Sequence, residues 1–228
     1  MKKLLLAVTM ASLVSSMGTI NTANAQYTHH NGYHHSMSTQ YQNDCCDGWV
    51  NNQIVDSMHM PMMNTDFVQS GNVDKDFIAN MIPHHQGAID SAKMILEYSS
   101  NKDVRNIAQN IINAQEKEIA EFTALLDDNK LTNTQISDED YAKFVADEKN
   151  AMNEMMNKMM AVTKTRDLKT ADYTFILAMK YHHEGAVNAS KQILAYTNDP
   201  TIKKIAQQII SDQDKEIQEF DKLIEQGL

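Results

Sequence analysis

The chain has 228 residues, of which 22% are charged and 42% are hydrophobic, and its formal net charge at neutral pH is −10. An acidic balance of this kind repels nucleic acid and attracts cations, so we exclude nucleic acid as a partner. Only 7 glycines and 3 prolines occur, and together with many Ala, Met, Lys, Glu and Gln residues this predicts an all-α fold.

Residues 1–25 have the pattern of a secretory signal peptide. Two lysines precede an apolar run, and Ala23-Asn24-Ala25 forms a small-residue cleavage site. The apolar run is too short to span a membrane, and no later segment is apolar enough to do so. We therefore expect a periplasmic or secreted protein without membrane insertion.

Residues 26–71 differ in composition from the rest of the chain and form an N-terminal arm that we expect to be irregular and flexible. The arm is rich in His, Asn, Ser, Tyr and Met and shows no evident helical period. It is either a disordered tail whose histidines have no role or a metal-collecting segment, because short His-, Met- and Cys-rich tracts are metal-binding compositions. Imidazole and thioether donors favour copper over magnesium or calcium. The candidate ligands are His29, His30, His34, His35, Met58, His59, Met60, Met62 and Met63.

Cys45 and Cys46 of the arm are adjacent. In an oxidising compartment a vicinal disulfide between them is strained, so it is not an ordinary structural crosslink. A vicinal or intermolecular disulfide and a thiolate metal site remain open as alternatives.

Five helices are predicted after the arm. Ser137 followed by Asp140 is typical of a capping box at the start of the third helix, and Pro200 suits the first turn of the fifth. The predicted bounds are about 74–99, 102–128, 138–164, 169–197 and 199–226.

An internal duplication dominates this helical part. A displacement of 98 residues aligns 77–126 with 175–224 without a gap, and close to half of the paired residues are identical. Each copy is a helical hairpin, and two such hairpins pack naturally as a four-helix bundle with approximate two-fold symmetry. We therefore predict one bundle domain, 72–228, with repeats at about 76–127 and 173–226 and a linking helix at about 138–164.

Each repeat carries a methionine and a histidine pair in an apolar helical stripe: Met81, His84 and His85 in the first, and Met179, His182 and His183 in the second. Adjacent helical residues are about 100° apart, so the two histidines of a pair cannot face the same way. The second histidine of each pair falls near the middle of its stripe, and the first falls at the edge.

A glutamine lies in the middle of the apolar stripe on the second helix of each hairpin, at Gln115 and Gln213. A buried imidazole needs a partner, so one interpretation is a His–Gln hydrogen bond that fixes helix register. The other is a metal site in which a thioether and an imidazole act together and the glutamine orients the ring.

The linking helix carries methionines at the spacing of an apolar helical face. Flexible core packing explains them, and so do soft thioether donors for Cu(I) or Ag(I). These residues are Met152, Met155, Met156, Met159 and Met160.

The stretch MIPHHQGAIDSAK, followed by Gln115-x-x-Glu118-Ile119, resembles the family known as domain of unknown function 305 over residues 76–127, with a more diverged copy from Tyr173 onward. The resemblance implies a ferritin-like four-helix bundle, and some members, of the CopM type, are exported proteins that bind copper or silver. It makes the two Met-His-His sets the leading metal-site candidates. The family usually has methionine where this chain has Ser91 and Phe122, which implies a bundle site poorer in sulfur.

The resulting expectation is an exported copper-binding protein that sequesters or delivers Cu(I), Cu(II) or Ag(I) and contributes to copper tolerance, with a copper-transport protein as a candidate partner. A structural or protein-interaction bundle is the alternative. A ferritin-like metalloenzyme is disfavoured, because di-iron sites use Glu-x-x-His motifs and here Met81 and Met179 stand in the place of the glutamate. We therefore expect no enzymatic activity.

Overall fold

A computed structural model describes residues 39–128, 130–164 and 170–228, with side chains from residue 48 onward. The signal sequence and four candidate ligands, His29, His30, His34 and His35, lie outside the described residues. The described part contains six α-helices and no strand, which confirms the all-α class. The helices are α1 Thr39–Met63, α2 Val73–Tyr98, α3 Lys102–Asp127, α4 Asp138–Val162, α5 Ala171–Leu194 and α6 Pro200–Glu225. None of these helices has the length and apolar character of a membrane span.

The predicted helices correspond to α2–α6, and polar caps fix where they begin. Asn72 accepts hydrogen bonds from the Asp74 and Lys75 amides, which satisfies free N–H groups at the start of α2. Ser137 caps α4 by accepting from the Asp140 amide at 3.1 Å. These contacts explain why the capping motifs located the helix ends within a few residues.

Helix α1 corrects the prediction of an irregular arm for residues 39–63. Val50, Ile54 and Met58 recur every fourth residue and are all buried, so a narrow apolar stripe exists. It is concealed by the Asn, Asp, Ser and Gly residues around it, which are weak helix formers. Packing against α2 and α5 supplies the stability that propensity does not. Residues 64–71, between α1 and α2, are irregular as expected.

The two hairpins, α2–α3 and α5–α6, meet through their first helices. His84 of α2 and His182 of α5 occupy equivalent positions in the two copies, and their ring centroids lie 3.7 Å apart. The approximate two-fold axis of the duplication therefore passes between these two rings.

The helix that precedes each hairpin crosses the first helix of that hairpin at an equivalent glycine. A Cβ added to Gly87 would lie 1.8 Å from the Met58 carbonyl oxygen, so α1 crosses α2 at this glycine. A Cβ added to Gly185 would lie 2.3 Å from the Met155 sulfur, so α4 crosses α5 at the equivalent glycine. Met58 and Met155 are separated by one residue less than the displacement of the hairpins. The bundle consists of two related three-helix units.

Ser91 fixes α1 in place. Its buried hydroxyl donates a hydrogen bond to the Ile54 carbonyl at 3.0 Å. This is a position where the family resemblance implies methionine. The departure from the family pattern therefore has a structural role, because a polar donor there links α2 to the backbone of α1.

The two units pack differently around the axis. Helix α1 contacts both α2 and α5, whereas α4 packs mainly against α5. Ile54 and Met58 share one apolar core with Met179 of α5. Aligning Met155 with Met58 at the two crossings places Ala151 of α4 opposite Ile54 of α1, and Ala151 lines a cavity, whereas Ile54 is fully buried.

The two glycine crossings predict unequal responses to the same substitution. Gly87→Ala places a methyl group against backbone, so α1 must shift, and we expect a loss of about 3 kcal/mol in the free energy of unfolding. Gly185→Ala meets a flexible methionine side chain that can rotate away, and we expect a loss of about 1 kcal/mol or less. Urea denaturation of both variants measures this difference, and equal losses would contradict the α1 crossing.

Candidate metal centre

His85 and His183 are fully buried, and each faces a carboxylate on the second helix of its own hairpin. His85 Nε2 lies 2.9 Å from Glu118 Oε2, and His183 Nε2 donates a hydrogen bond to Glu216 Oε2 at 2.9 Å. The central position of both histidines is as predicted, but the predicted glutamine partners are wrong. The Gln115 and Gln213 side-chain oxygens are buried without a hydrogen bond. The glutamates one turn further along the helix contact the imidazole rings in their place.

A phenylalanine covers each of these two histidines. The ring centroids of His85 and Phe122 lie 5.4 Å apart, and those of His183 and Phe220 lie 5.2 Å apart. Phe122 is the second position at which the resemblance implies methionine. At this position an aromatic ring, and not a thioether, packs against the imidazole. The second histidine of each pair is therefore part of the packed core.

His84 and His182 were expected at the edge of the apolar stripe, and this is wrong. Their exposed fractions are 8% and 0%, because the edge of α2 is covered by α5 and the edge of α5 by α2. His182 Nε2 donates a hydrogen bond to the His84 carbonyl at 3.0 Å, whereas neither ring nitrogen of His84 has a hydrogen-bond partner.

Both stacked imidazoles are neutral near pH 7. Burial lowers the pKa of His84 well below 6.5, and the charges of His85 and His183 lower it further. Burial likewise lowers the pKa of His182, with His84 and His183 adding to the effect. A neutral imidazole has a lone pair available for a metal. His85 and His183 face carboxylates, and His182 faces a backbone carbonyl. The His84 imidazole is neutral, and its ring nitrogens face neither kind of group.

A cavity of about 100 Å³ lies beside His84, between α2, α4 and α5. This volume is large enough for a cation with several water molecules. Met155 Sδ and His84 Nε2 both border Gly185, since a Cβ built on this glycine would lie 2.3 Å from the sulfur and 3.5 Å from the nitrogen. Five of the predicted ligands line this one cavity: Met62, Met81, His84, Met152 and Met155.

Glu148 also lines the cavity, and the sequence analysis did not identify it. Burial raises its pKa to about 7, and the neighbouring Asp147 charge adds to this rise. Its Oε1 is buried without a hydrogen-bond partner. The signal that could have revealed it is its position four residues before Met152 and seven before Met155, which places all three on one helical face.

The equivalent place in the other unit is filled. Met179 corresponds to Met81, yet it is fully buried in the core that α1 forms with α5. Phe175 corresponds to Phe77 of the cavity wall and belongs to the same core. Met81 is buried as well, with 4% of its surface exposed, but it belongs to a different core cluster and lines the cavity. Two methionines at equivalent positions of the repeats therefore have different surroundings.

The remaining candidate ligands are dispersed. Met58 and Met159 are core residues, Met156 packs at the edge of the core, and His59 Nε2 lies 3.8 Å from Asp56. Met60, Met63 and Met160 are exposed, by 44%, 61% and 37%. Cys45 and Cys46 lie in α1, but their side chains are outside the described set. Within the described residues no three His, Cys, Asp or Glu side chains form a group that could hold a metal, so the donors that do converge include thioethers.

The two buried histidines make a contribution to the stability of the metal-free protein that is lost in mild acid, and Glu148, whose pKa is raised to about 7, opposes it in part. Because the folded pKa values of His84 and His182 are lowered, the unfolded chain binds protons below pH 6.5 that the folded protein does not, and stability falls by up to about 1.4 kcal/mol per pH unit for each residue. Above this range the effect is absent. Urea denaturation at about pH 7.5 and about pH 5 should show a shallower pH dependence for His84→Gln/His182→Gln, and an unchanged slope would contradict the assignment.

Several solved structures are similar to this chain. A DUF305 protein of Streptomyces coelicolor is 22% identical, with a TM-score of 0.53, over 69% of this chain and 94% of that protein. CopM in its Cu(II)-bound form is 28% identical, with a TM-score of 0.49, over 68% of this chain and 98% of CopM. CopM has also been solved in Cu(I)-bound and Ag-bound forms.

A curated relative matches a shorter segment. Protein L153 of Acanthamoeba polyphaga mimivirus is 38% identical over 60 residues, which are 26% of this chain and 40% of L153. The family model of DUF305, a domain of unknown function, matches residues 74–224 and thus both hairpins with α4 between them. The chain therefore belongs to the DUF305 family, as its repeated histidine motifs predicted.

Proposed function

We propose that the protein is an exported copper-binding protein that sequesters or delivers copper, and that the cavity beside His84 holds the ion. The observation that carries this proposal is the convergence of four methionines and one unengaged, neutral imidazole on a single cavity. Thioethers are soft donors and bind Cu(I) and Ag(I) in preference to hard cations. Cu(I) is thus the expected cargo, and Ag(I) is an expected mimic.

Each part of the site has a distinct task in this proposal. Met152 and Met155 supply thioethers from α4, and Met81 supplies one from α2. His84 supplies nitrogen without first releasing a proton, since its pKa is already lowered. Met62, at the end of α1, supplies a donor from the third side of the cavity.

The arm is proposed to collect the ion before the bundle retains it. A signal sequence would deliver the protein to the periplasm or the exterior, where Cu(II) also occurs and where the arm histidines could accept it. Retention by side-chain ligands alone needs no catalytic step, and we propose a role in copper tolerance or in transfer to a copper-transport protein. The negative net charge favours cation attraction to the whole molecule.

Matched methionine variants test the location of the site. We define a background variant in which His29, His30, His34 and His35 are replaced by Asn and Cys45 and Cys46 by Ser, so that the arm residues named do not compete. In this background, anaerobic Cu(I) titration against a chelator should give a Kd below about 1 μM. Met152→Leu/Met155→Leu should weaken binding by about 100-fold and Met81→Leu by about tenfold, because apolar packing is kept while the sulfur is lost.

Met179→Leu is the control, because it removes the methionine equivalent to Met81 at the filled place. Its Cu(I) affinity should match the background. Equal losses for Met81→Leu and Met179→Leu would refute the cavity as the site. An affinity weaker than micromolar in the background itself would favour a structural or protein-interaction bundle instead.

A further inference from the structure

Two carboxylates line the cavity, Glu148 and Asp66. Asp66 is exposed to solvent, whereas Oε1 of Glu148 is buried beside the sulfur and nitrogen donors. Glu148 lies on the face of α4 that carries Met152 and Met155, one and two turns before them, and it lines the same cavity as His84. Copper bound between these methionines and His84 would therefore lie in the cavity that Glu148 also lines.

The burial of this carboxylate is costly in the metal-free protein. A buried carboxylate oxygen without a hydrogen bond is unfavourable when the group is ionised, and Oε1 of Glu148 is buried and has no hydrogen-bond partner. No cationic side chain lines the cavity. The raised pKa, caused by burial and then by Asp147, reflects the same cost. A bound cation would remove it by supplying the opposite charge.

The duplication provides an internal comparison. By the register that aligns Met155 with Met58, the counterpart of Glu148 in α1 is Asn51, a neutral amide. Helix α4, which lines the cavity, carries the carboxylate Glu148. Helix α1, whose equivalent space is filled by core residues, carries Asn51 instead. A purely structural role shared by both units does not explain this difference.

We infer that Glu148 is a copper ligand that extends the selectivity of the cavity from Cu(I) and Ag(I) to Cu(II). Carboxylate oxygen and imidazole nitrogen are the donors that Cu(II) favours, whereas Cu(I) is satisfied by thioethers. The carboxylate also balances the second positive charge of Cu(II), which neutral methionines and His84 do not. The inference rests on the proposed function and adds that the same cavity binds copper in a second oxidation state.

Glu148→Gln in the background variant tests this, because it keeps the shape of the side chain and removes its charge. Cu(II) affinity, measured by chelator competition and by the EPR spectrum of the bound ion, should fall at least about tenfold, since loss of even indirect metal partners has effects of that size. Cu(I) affinity, measured anaerobically, should change less than about threefold. Asp147→Asn is the matched control for loss of one negative charge on the same helix and should leave the Cu(II) EPR spectrum unchanged.

Several outcomes overturn the inference. Unchanged Cu(II) affinity in Glu148→Gln would show that the carboxylate is not a ligand, and equal losses of Cu(I) and Cu(II) would show a general structural effect. An equal loss of Cu(II) affinity in Asp147→Asn would show long-range electrostatics. If Met152→Leu/Met155→Leu leaves Cu(I) binding intact, the proposed function fails first, so the two failures are distinguishable.

Discussion

The close approach of α1 to α2 at Gly87 is the constraint on which the rest of the structure depends. The Met58 carbonyl occupies the space that any side chain at this position would need, and Ser91 then bonds the next turn of α1 at Ile54. With α1 held in this way, its apolar face fills the space against α5. Helix α4 makes the equivalent crossing at Gly185, yet it does not fill the equivalent space against α2.

This asymmetry gives the histidines different chemical roles. In each hairpin the second histidine contacts a glutamate and a phenylalanine, and His182 bonds across the axis to the backbone of His84. The hydrogen bonds of His183 and His182 satisfy one ring nitrogen each, which lowers the cost of burying these rings. The ring nitrogens of His84 have no hydrogen-bond partner, and the ring lies beside the cavity between α2, α4 and α5. Under the proposed function, the second histidine of each repeat packs the core and His84 binds the ion.

Sequence reasoning succeeds here where the signal is local to one helix. Apolar periodicity and capping residues located α2–α6, and the repeated His-His motif identified the family. It failed for α1, whose short apolar stripe is surrounded by polar residues, and for His84 and His182, because periodicity treats each helix alone and cannot show that a second copy covers its edge. The repeated Gln-x-x-Glu spacing contained the correct histidine partners, Glu118 and Glu216. The glutamines were predicted instead, because they lie in the middle of the apolar stripe. The cavity was not predictable, because it lies where α2, α4 and α5 meet, and a sequence pattern does not give the packing of three helices.

Anomalous diffraction from crystals of the protein soaked in Ag(I) tests the central claim most directly, since it locates soft-metal sites without reference to sequence. The account predicts one strong peak in the bundle, bounded by Met81, His84, Met152 and Met155, and no peak at the related position beside Met179. Two bundle peaks of similar height related by the pseudo-two-fold axis would contradict it, as would a bundle without any peak.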